Sequence, residues 1–473
     1  MARFALFLRC RSLLCTPFHH SISLHAGCST APVRPFILGI ETSCDDTGAA
    51  VVDGKGRLLG EGLNSQQAYS SRFGGVIPEL AQDLHHAAIG SVVEEAMTRS
   101  GLQYEDLDAI AVTRTPGMVL CLQVGVSHAL QLCRKYRKPL IPIHHMQAHA
   151  LTVRMPNSTE FSQPHKVEYP FLCLLVSGGH CILTWVKSVD EFLVLGHEID
   201  GAPGEAFDKV ARLLKLRHIK PEYDRASGGV LIEKVARAGN PLSIQFPNPR
   251  SGKGLDADCN FSFSGIKTYA CQMIKERELN PDLNSGEFLP NFCASFQHAV
   301  FKHLGRRLER ALLFLNHEKW TPEGIIPYLV VSGGVASNSY LKTGLAYVAA
   351  HYDYRLISPP PRLCTDNGIM IAWNGLERFQ AGVGIIPAEN VPETMWVDAK
   401  SPLGASIPEN MIRKARRDSH RMTKTVKLSY DFNDQSLLET ALKYSEERIR
   451  RKRNKNEGTS AVGDDATHSC CVG

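Results

Sequence analysis

The chain has 473 residues, of which 43% are hydrophobic and 21% charged, a balance typical of globular proteins. It is too long for one ordinary hydrophobic core, so two domains are expected. No apolar run approaches the roughly 20 residues that span a bilayer, and no membrane partner is predicted. The net charge is +5, but without ten cations near the two ends it would be −5. This excludes a uniformly basic nucleic-acid-binding protein, and any contact with nucleic acid must use local patches.

Residues 1–35 have the composition of a mitochondrial targeting sequence. They contain four arginines, many serines and histidines, and no acid, because the first acidic residue is Glu41. A secretory signal is the alternative, but Arg9 and Arg11 interrupt its apolar stretch. We therefore predict a presequence cleaved before Phe36 and a location in the mitochondrial matrix.

Three apolar strands each run into a polar turn that contains glycine. The strands cover residues 36–41, 171–176 and 326–331, and the turns cover residues 42–48, 177–180 and 332–334. After the first two turns a second apolar strand follows, at 49–53 and 181–186, which predicts two β-hairpins. After the third, Ser337 or Asn338 is expected to cap a helix.

Helical periodicity lies between these strands. Helices are predicted at residues 78–97, 125–133, 206–216 and 292–312. Strands that alternate with helices indicate an α/β protein, and the repeated hairpin suggests a duplicated unit with a cleft between the copies. We predict a first domain over residues 36–160 and a second over 161–400, whose last helix is a candidate to pack on the first. Residues 401–473 are expected to form a basic, partly disordered extension.

Two histidines four residues apart stand in the segment HHMQAH. On a helix, His145 and His149 lie on one face, within reach of one metal ion. A metal site needs at least one more ligand, and Asp366 in the segment CTDN is our candidate. Such a set suits Zn²⁺ or Fe²⁺ and leaves positions open for substrate oxygens. Met146 stands where HExxH metalloproteases have a glutamate, which argues against proteolysis.

The glycine turns are candidate phosphate-binding loops, because backbone N–H groups there can approach an anion closely. Ordinary hairpin turns explain them about equally well. In the segment FSFSGIKT at 261–268, phenylalanine and serine alternate as in a half-buried strand. The segment is either a plain edge strand, or Ser264 and Lys267 contact a phosphate. Asp208 lies in the first turn of a predicted helix, where a capping or surface role is as good an explanation as ligand binding.

Taken in chain order, eight motifs resemble one family. They are GIETSCDDT at 39–47, PELA at 78–81, HMQAH at 145–149, LVSGGH at 175–180, GEAFDK at 204–209, FSFSGIKT at 261–268, GGVASN at 333–338 and CTDNG at 364–368. The chain resembles the tRNA N6-adenosine threonylcarbamoyltransferases, in their bacterial and mitochondrial branch, over residues 36–400. The resemblance implies an actin-like α/β fold of the sugar kinase and Hsp70 superfamily.

The resemblance also implies a reaction and its site. The family transfers a threonylcarbamoyl group from threonylcarbamoyl-adenylate to N6 of adenosine 37 in tRNAs that read ANN codons, and AMP leaves. The implied metal ligands are His145, His149 and Asp366, for one Fe²⁺ or Zn²⁺ ion per subunit. The implied substrate-binding positions are Leu175, Val176, Ser177, Gly178, Gly179, Asp208, Gly229, Glu233 and Asn338.

The resemblance names partners as well. These are tRNA and a synthase that supplies the adenylate, with the enzyme acting as a monomer or a homodimer. No general base is assigned, Asp45 and Asp46 being the candidates. The sequence departs from the family pattern at Thr115, Gly201 and Pro203, which leaves the shape of those loops open.

Two other functions fit the same fold. An ATP-dependent phosphotransferase or ATPase would hold Mg²⁺ through carboxylates and waters and would not need the histidine pair. A non-catalytic RNA-binding assembly protein would keep its function after His149→Ala.

Overall fold

Two mixed β-sheets form the framework of the computed structural model. It describes residues 31–73, 75–156, 167–223, 226–250, 258–279, 286–322, 327–419, 432–433 and 435–460. The predicted presequence, up to residue 30, lies outside the described residues.

The first sheet has five strands. They are β1 (Ile37–Glu41), β2 (Asp46–Val52), β3 (Leu58–Ser65), β4 (Ala109–Thr115) and β5 (Leu140–His144). Their order is β3-β2-β1-β4-β5; β1, β2 and β3 are antiparallel neighbours, while β4 and β5 continue the sheet in parallel. The first predicted hairpin is confirmed, although residues 46–48 belong to β2 and not to the turn.

The second sheet repeats this order. Its strands are β6 (Phe171–Val176), β7 (Cys181–Val186), β8 (Phe192–His197), β9 (Tyr328–Ser332), β10 (Arg355–Ile357) and β11 (Ala405–Ser406). The order β10-β9-β6-β7-β8 has the same antiparallel and parallel pairs as the first sheet, and β11 adds to its edge. The duplicated, actin-like α/β arrangement that the sequence predicted is therefore confirmed, whereas the domain boundaries stay a prediction.

Thirteen helices lie among the described residues. They are α1 (Gln67–Phe73), α2 (Pro78–Ser100), α3 (Val119–Tyr136), α4 (His145–Leu151), α5 (Pro203–Leu213), α6 (Gly228–Ala236), α7 (Ser264–Leu279), α8 (Phe288–His317), α9 (Ser339–His351), α10 (Pro361–Cys364), α11 (Gly368–Ala381), α12 (Glu409–Ser419) and α13 (Gln435–Ser460). The four helices predicted from periodicity correspond to α2, α3, α5 and α8. Asn338 caps α9, since its side-chain oxygen accepts from the N–H of Leu341.

Helix α11 packs directly on the first sheet, although it follows the strands of the second. A Cβ atom on Gly39 would lie 2.2 Å from the nitrogen of Ala372, and one on Gly368 would lie 2.4 Å from the carbonyl carbon of Ala49. Only glycine permits so close an approach between helix and sheet. This contact brings Asp366, two residues before the helix, to the edge of the first sheet.

The core of the second half surrounds α8, which is buried on many sides, as expected for an interior helix. Helices α6, α9 and α12 pack against it, and α13 packs on α9. The extension after residue 401 thus contributes β11, α12 and α13 to the second half. Its residues 420–431, 434 and 461–473 lie outside the described part of the chain, and the disorder predicted for the extension is not tested there.

The strand predicted over residues 261–268 is wrong. Phe261 forms only an isolated bridge with Glu198, and α7 begins at Ser264. The alternation arises because Phe261 and Phe263 are both buried, while Asp200 accepts hydrogen bonds from the hydroxyl of Ser262 and from the N–H groups of Phe263 and Ser264. That carboxylate satisfies the free N–H groups at the start of the helix.

Candidate metal centre and ligand cleft

Helix α4 begins where β5 ends and carries the histidine pair. His145 and His149 are both buried, and their rings meet edge to face with centroids 4.7 Å apart. Their Nε2 atoms are 3.2 Å apart. The i, i+4 spacing therefore aims two imidazole nitrogens at one point, as the sequence predicted.

Asp366 joins the pair from the segment between α10 and α11. Its Oδ1 atom lies 3.1 Å from Nε2 of His149 and 3.4 Å from Nε2 of His145. One ligand atom from each residue falls within 4.8 Å of the others. Two imidazole nitrogens and one carboxylate oxygen that converge in this way fit a divalent transition metal with open coordination positions.

Glu41 orients His145 from the side opposite to Asp366. It ends β1, is completely buried, and accepts from the hydroxyl of Thr113 at 2.5 Å and from the N–H of Ser43 at 2.5 Å. Its Oε2 lies 3.2 Å from Nδ1 of His145. Because an ionised carboxylate only accepts, Nδ1 carries a proton toward Glu41, and a metal would displace the proton of Nε2.

The charges at this cluster support one another. Burial alone would lower the pKa of His145, but Asp366 and Glu41 outweigh it and raise that pKa to about 10. Burial alone would raise the pKa of Asp366, but the charge of His145 and the hydrogen bonds from both imidazoles hold it well below its ordinary value. Burial, assisted by neighbouring carboxylates, raises the pKa of Asp46 to about 7. The two carboxylates thus create a negative potential that a proton on His145, or a cation in its place, neutralises.

The glycine turn of the second sheet lies next to α4. Leu175 pairs with Ser332 in the neighbouring parallel strand, and the hydroxyl of Ser332 donates to the carbonyl of His149 at 2.9 Å. Burial, together with the charges of the histidine pair, lowers the pKa of His180 at the end of the turn to about 4. Residues 177–180, at the end of β6, therefore lie near the metal ligands.

Two other predicted positions, Asp208 and Glu233, lie on helices that are linked to this turn through α5. The N–H of Gly204, in the first turn of α5, donates to the carbonyl of Ser177 at 3.3 Å. Asp208 accepts from the N–H of Gly228 at 2.8 Å, which joins α5 to α6. Glu233 of α6 accepts from the N–H of Ser339 at 3.1 Å, which joins α6 to α9.

Two of the predicted positions can offer only their backbone. The side chains of Leu175 and Val176 are buried in the hydrophobic core of the sheet. The amide of Asn338 already donates to Gln297 at 2.9 Å while its oxygen caps α9. Lys267, outside the predicted set, pairs with Glu205 at 2.8 Å.

Sequence reasoning missed Glu41, Thr113 and His180 as parts of the site. The available signal was positional, since Glu41 is a carboxylate at the end of an apolar strand and His180 closes a glycine turn. Neither feature shows, from the sequence, that the Glu41 carboxylate faces Nδ1 of His145.

Comparison with known proteins decides the family. The family model TsaD: tRNA N6-adenosine threonylcarbamoyltransferase matches residues 57–373, more than half of the chain. The chain belongs to the tRNA N6-adenosine threonylcarbamoyltransferase family. Members of this family are transferases that act on tRNA, and the family is metal-dependent in general.

Relatives of known name agree over most of their length. A mitochondrial tRNA N6-adenosine threonylcarbamoyltransferase of Xenopus tropicalis is 47% identical over 386 residues, which are 80% of this chain and 90% of that protein. The Homo sapiens mitochondrial enzyme is 44% identical over 398 residues, 83% and 92% of the two chains. An enzyme of Sinorhizobium medicae is 40% identical over 376 residues, 78% and 98%. The chain is thus a mitochondrial member of the family.

Similarity to solved structures is remote. A full-length HypF structure covers 74% of this chain and 56% of its own at 13% identity, with a TM-score of 0.45. The fold assignment therefore rests on the repeated strand order. Within the described residues, none of the helices has the length and apolar character needed to cross a membrane.

Proposed function

We propose that this protein transfers the threonylcarbamoyl group of threonylcarbamoyl-adenylate to N6 of adenosine 37 in mitochondrial tRNAs that read ANN codons. The metal would be held by His145, His149 and Asp366, as one Fe²⁺ or Zn²⁺ ion per subunit. The observation that carries the proposal is the convergence of these three ligands beside a glycine turn, in a chain of this family. The adenylate would come from a separate synthase in the matrix, and the enzyme would act as a monomer or a homodimer.

The cleft has the features of a nucleotide-binding site. At Gly178, Gly179 and Gly229 an added Cβ would meet nothing within 4 Å, and none of the three has a left-handed backbone. The protein itself therefore does not require glycine there, whereas close approach of a phosphate to backbone N–H groups does. By contrast, Gly333 has φ of 100° and a Cβ there would lie 2.6 Å from the carbonyl of Val176, so this glycine is structural.

The chemistry asks mainly for placement and charge control. The N6 amine attacks the carbamoyl carbon, the bond from that carbon to the phosphate oxygen breaks, AMP leaves, and the amine loses one proton. When bound, a divalent cation supplies charge stabilisation to phosphate or carbonyl oxygens. Glu41 holds a proton of His145 on Nδ1, and the N–H groups of Gly178 and Gly179 would hold the phosphate, since the N–H of Ser177 already donates to the carbonyl of His180. Asp208 and Glu233 are suited to ribose hydroxyls, since carboxylates accept from paired O–H donors.

Transfer to unmodified tRNA tests the metal ligands. With synthesised threonylcarbamoyl-adenylate, His145→Ala and Asp366→Ala should each lose most product formation and bound metal. The control is His86→Ala, which removes an exposed histidine from α2. Product formation by either ligand variant at the wild-type rate would contradict the proposal, and full activity of His149→Ala would favour a non-catalytic role for the pair.

A second pair of variants tests the adenylate subsite. Gly178→Ala should raise KM for the adenylate at least tenfold without lowering the melting temperature, because the new methyl group meets no protein atom. Gly90 in α2 has the same free space around its Cα. Gly90→Ala should leave KM for the adenylate unchanged and should not lower the melting temperature, since alanine favours a helix over glycine by about 1 kcal/mol. Equal KM values in the two variants would remove the turn from the site.

A further inference from the structure

Helix α13 is anchored to the second half through its first part. Phe432, just before it, is buried, and its ring lies 4.5 Å from that of Phe301 and 6.1 Å from that of Tyr340. Arg448 donates to the carbonyls of Ala350 and His351, at 3.0 and 2.8 Å. A cation at the last carbonyls of α9 is favoured by the helix dipole.

These contacts place Arg448 at the far end of α9. The ring of Phe432 lies beside both Tyr340 and Tyr347, 6.1 and 5.5 Å away, whereas Arg448 reaches the last carbonyls of that helix. The start of α9 lies beside the ligand cleft, since Glu233 accepts from the N–H of Ser339 there. At 1.5 Å per residue α9 is roughly 20 Å long, so the part of α13 after Arg448 begins roughly 20 Å from the cleft.

This distal part of α13 is strongly basic and has no apolar residue from position 450 onward. Between residues 450 and 460 it carries five cations and one acid, Glu457. The cations are Arg450, Arg451, Lys452, Arg453 and Lys455. A helix that inserts into a membrane surface needs an apolar face, which residues 450–460 do not provide. Their charge is suited to phosphates that stay in water.

We propose that the basic end of α13, which begins roughly 20 Å from the cleft, binds the phosphate backbone of the tRNA substrate. The proposal rests on tRNA being the substrate of the cleft. Lysines and arginines that neutralise phosphates position a nucleic acid without reading its sequence. Without residues 1–35 and 450–460 the net charge of the chain is −3, so this helix adds a local attraction for phosphate.

The test replaces Arg450, Arg451, Lys452 and Arg453 with glutamine in the full chain. Glutamine has nearly the same helix propensity as arginine and lysine, so the melting temperature should not change. The dissociation constant for unmodified tRNA is measured by fluorescence anisotropy between 50 and 200 mM salt. Each phosphate that is no longer neutralised should weaken binding about fivefold at 0.15 M salt and reduce the salt slope by about one. We expect at least tenfold weaker binding and a parallel rise in KM for tRNA.

Matched variants separate charge from other causes. Replacing Arg450, Arg451 and Arg453 with lysine keeps every charge and should keep the affinity and the salt slope. An unchanged affinity and slope in the glutamine variant would overturn the proposal. Loss of binding to vesicles of anionic phospholipid, with tRNA binding intact, would overturn it in favour of a membrane contact. Because the readout is binding, its failure is distinguishable from a failure of the transfer reaction in the ligand variants.

Discussion

Replacing Glu41 with glutamine should weaken metal binding without removing a metal ligand. Glu41 is completely buried and accepts three hydrogen bonds, from Thr113, Ser43 and His145. Glutamine has the same size but only one accepting oxygen, and it adds two donors. Because Oε2 accepts from Thr113 and His145 and Oε1 accepts from Ser43, at least one buried donor loses its acceptor. His145 loses the charge of its carboxylate neighbour in either orientation of the amide.

Two independent estimates give a similar loss of metal-binding free energy. A buried donor left without a partner costs about 1–3 kcal/mol. Changing a carboxylate behind a metal-ligating histidine typically lowers metal affinity 10–100-fold, which is about 1.4–2.7 kcal/mol. We therefore expect the dissociation constant for Zn²⁺ or Co²⁺ to rise 10–100-fold in Glu41→Gln.

Competition against a chromophoric chelator measures this constant, and the melting temperature of the metal-free protein shows whether the fold is kept. Glu95→Gln is the control, because Glu95 is a carboxylate on α2 that pairs with Arg99 of the same helix at 2.6 Å. A metal affinity of Glu41→Gln within threefold of the wild type would refute the role of this carboxylate in orienting His145.

Two further predictions concern stability. The folded-state pKa of Asp46, about 7, lies above its ordinary value of 3.8. The free energy of unfolding of the metal-free protein should therefore fall by up to about 1.4 kcal/mol per pH unit as pH rises between those values. Asp46→Asn should remove that loss, which chemical denaturation at pH 5 and 8 measures. An equal pH dependence in both proteins would show that Asp46 does not titrate there. Phe432→Ala should destabilise the protein by about 3–5 kcal/mol, because it leaves a cavity where the buried ring packs against Phe301. Tyr444→Ala, at a 65% exposed position in α13, should keep the wild-type stability. Similar melting temperatures of the two variants would mean that α13 is not anchored through Phe432.

Local patterns in the sequence were sufficient for the strands and most helices. The hairpins at 37–52 and 171–186 follow from apolar runs on either side of polar turns. The pattern failed at 261–268, because alternation of phenylalanine and serine has the period of a strand whether or not a neighbouring strand is present. There Asp200, a residue distant in sequence, supplies the hydrogen-bond acceptor that lets a helix begin at Ser264.

The local half of the site follows from short stretches of sequence: the helical spacing that aims His145 and His149 at one point, and the glycine turn beside them. The position of Asp366 depends on the tertiary structure, because α11 reaches the first sheet only through glycine contacts across more than 300 residues of chain. Glu41 likewise meets His145 only when β1, β4 and β5 align in parallel. Spacing along a helix is a property of neighbouring residues, whereas the meeting of distant segments depends on packing that no short stretch of sequence contains.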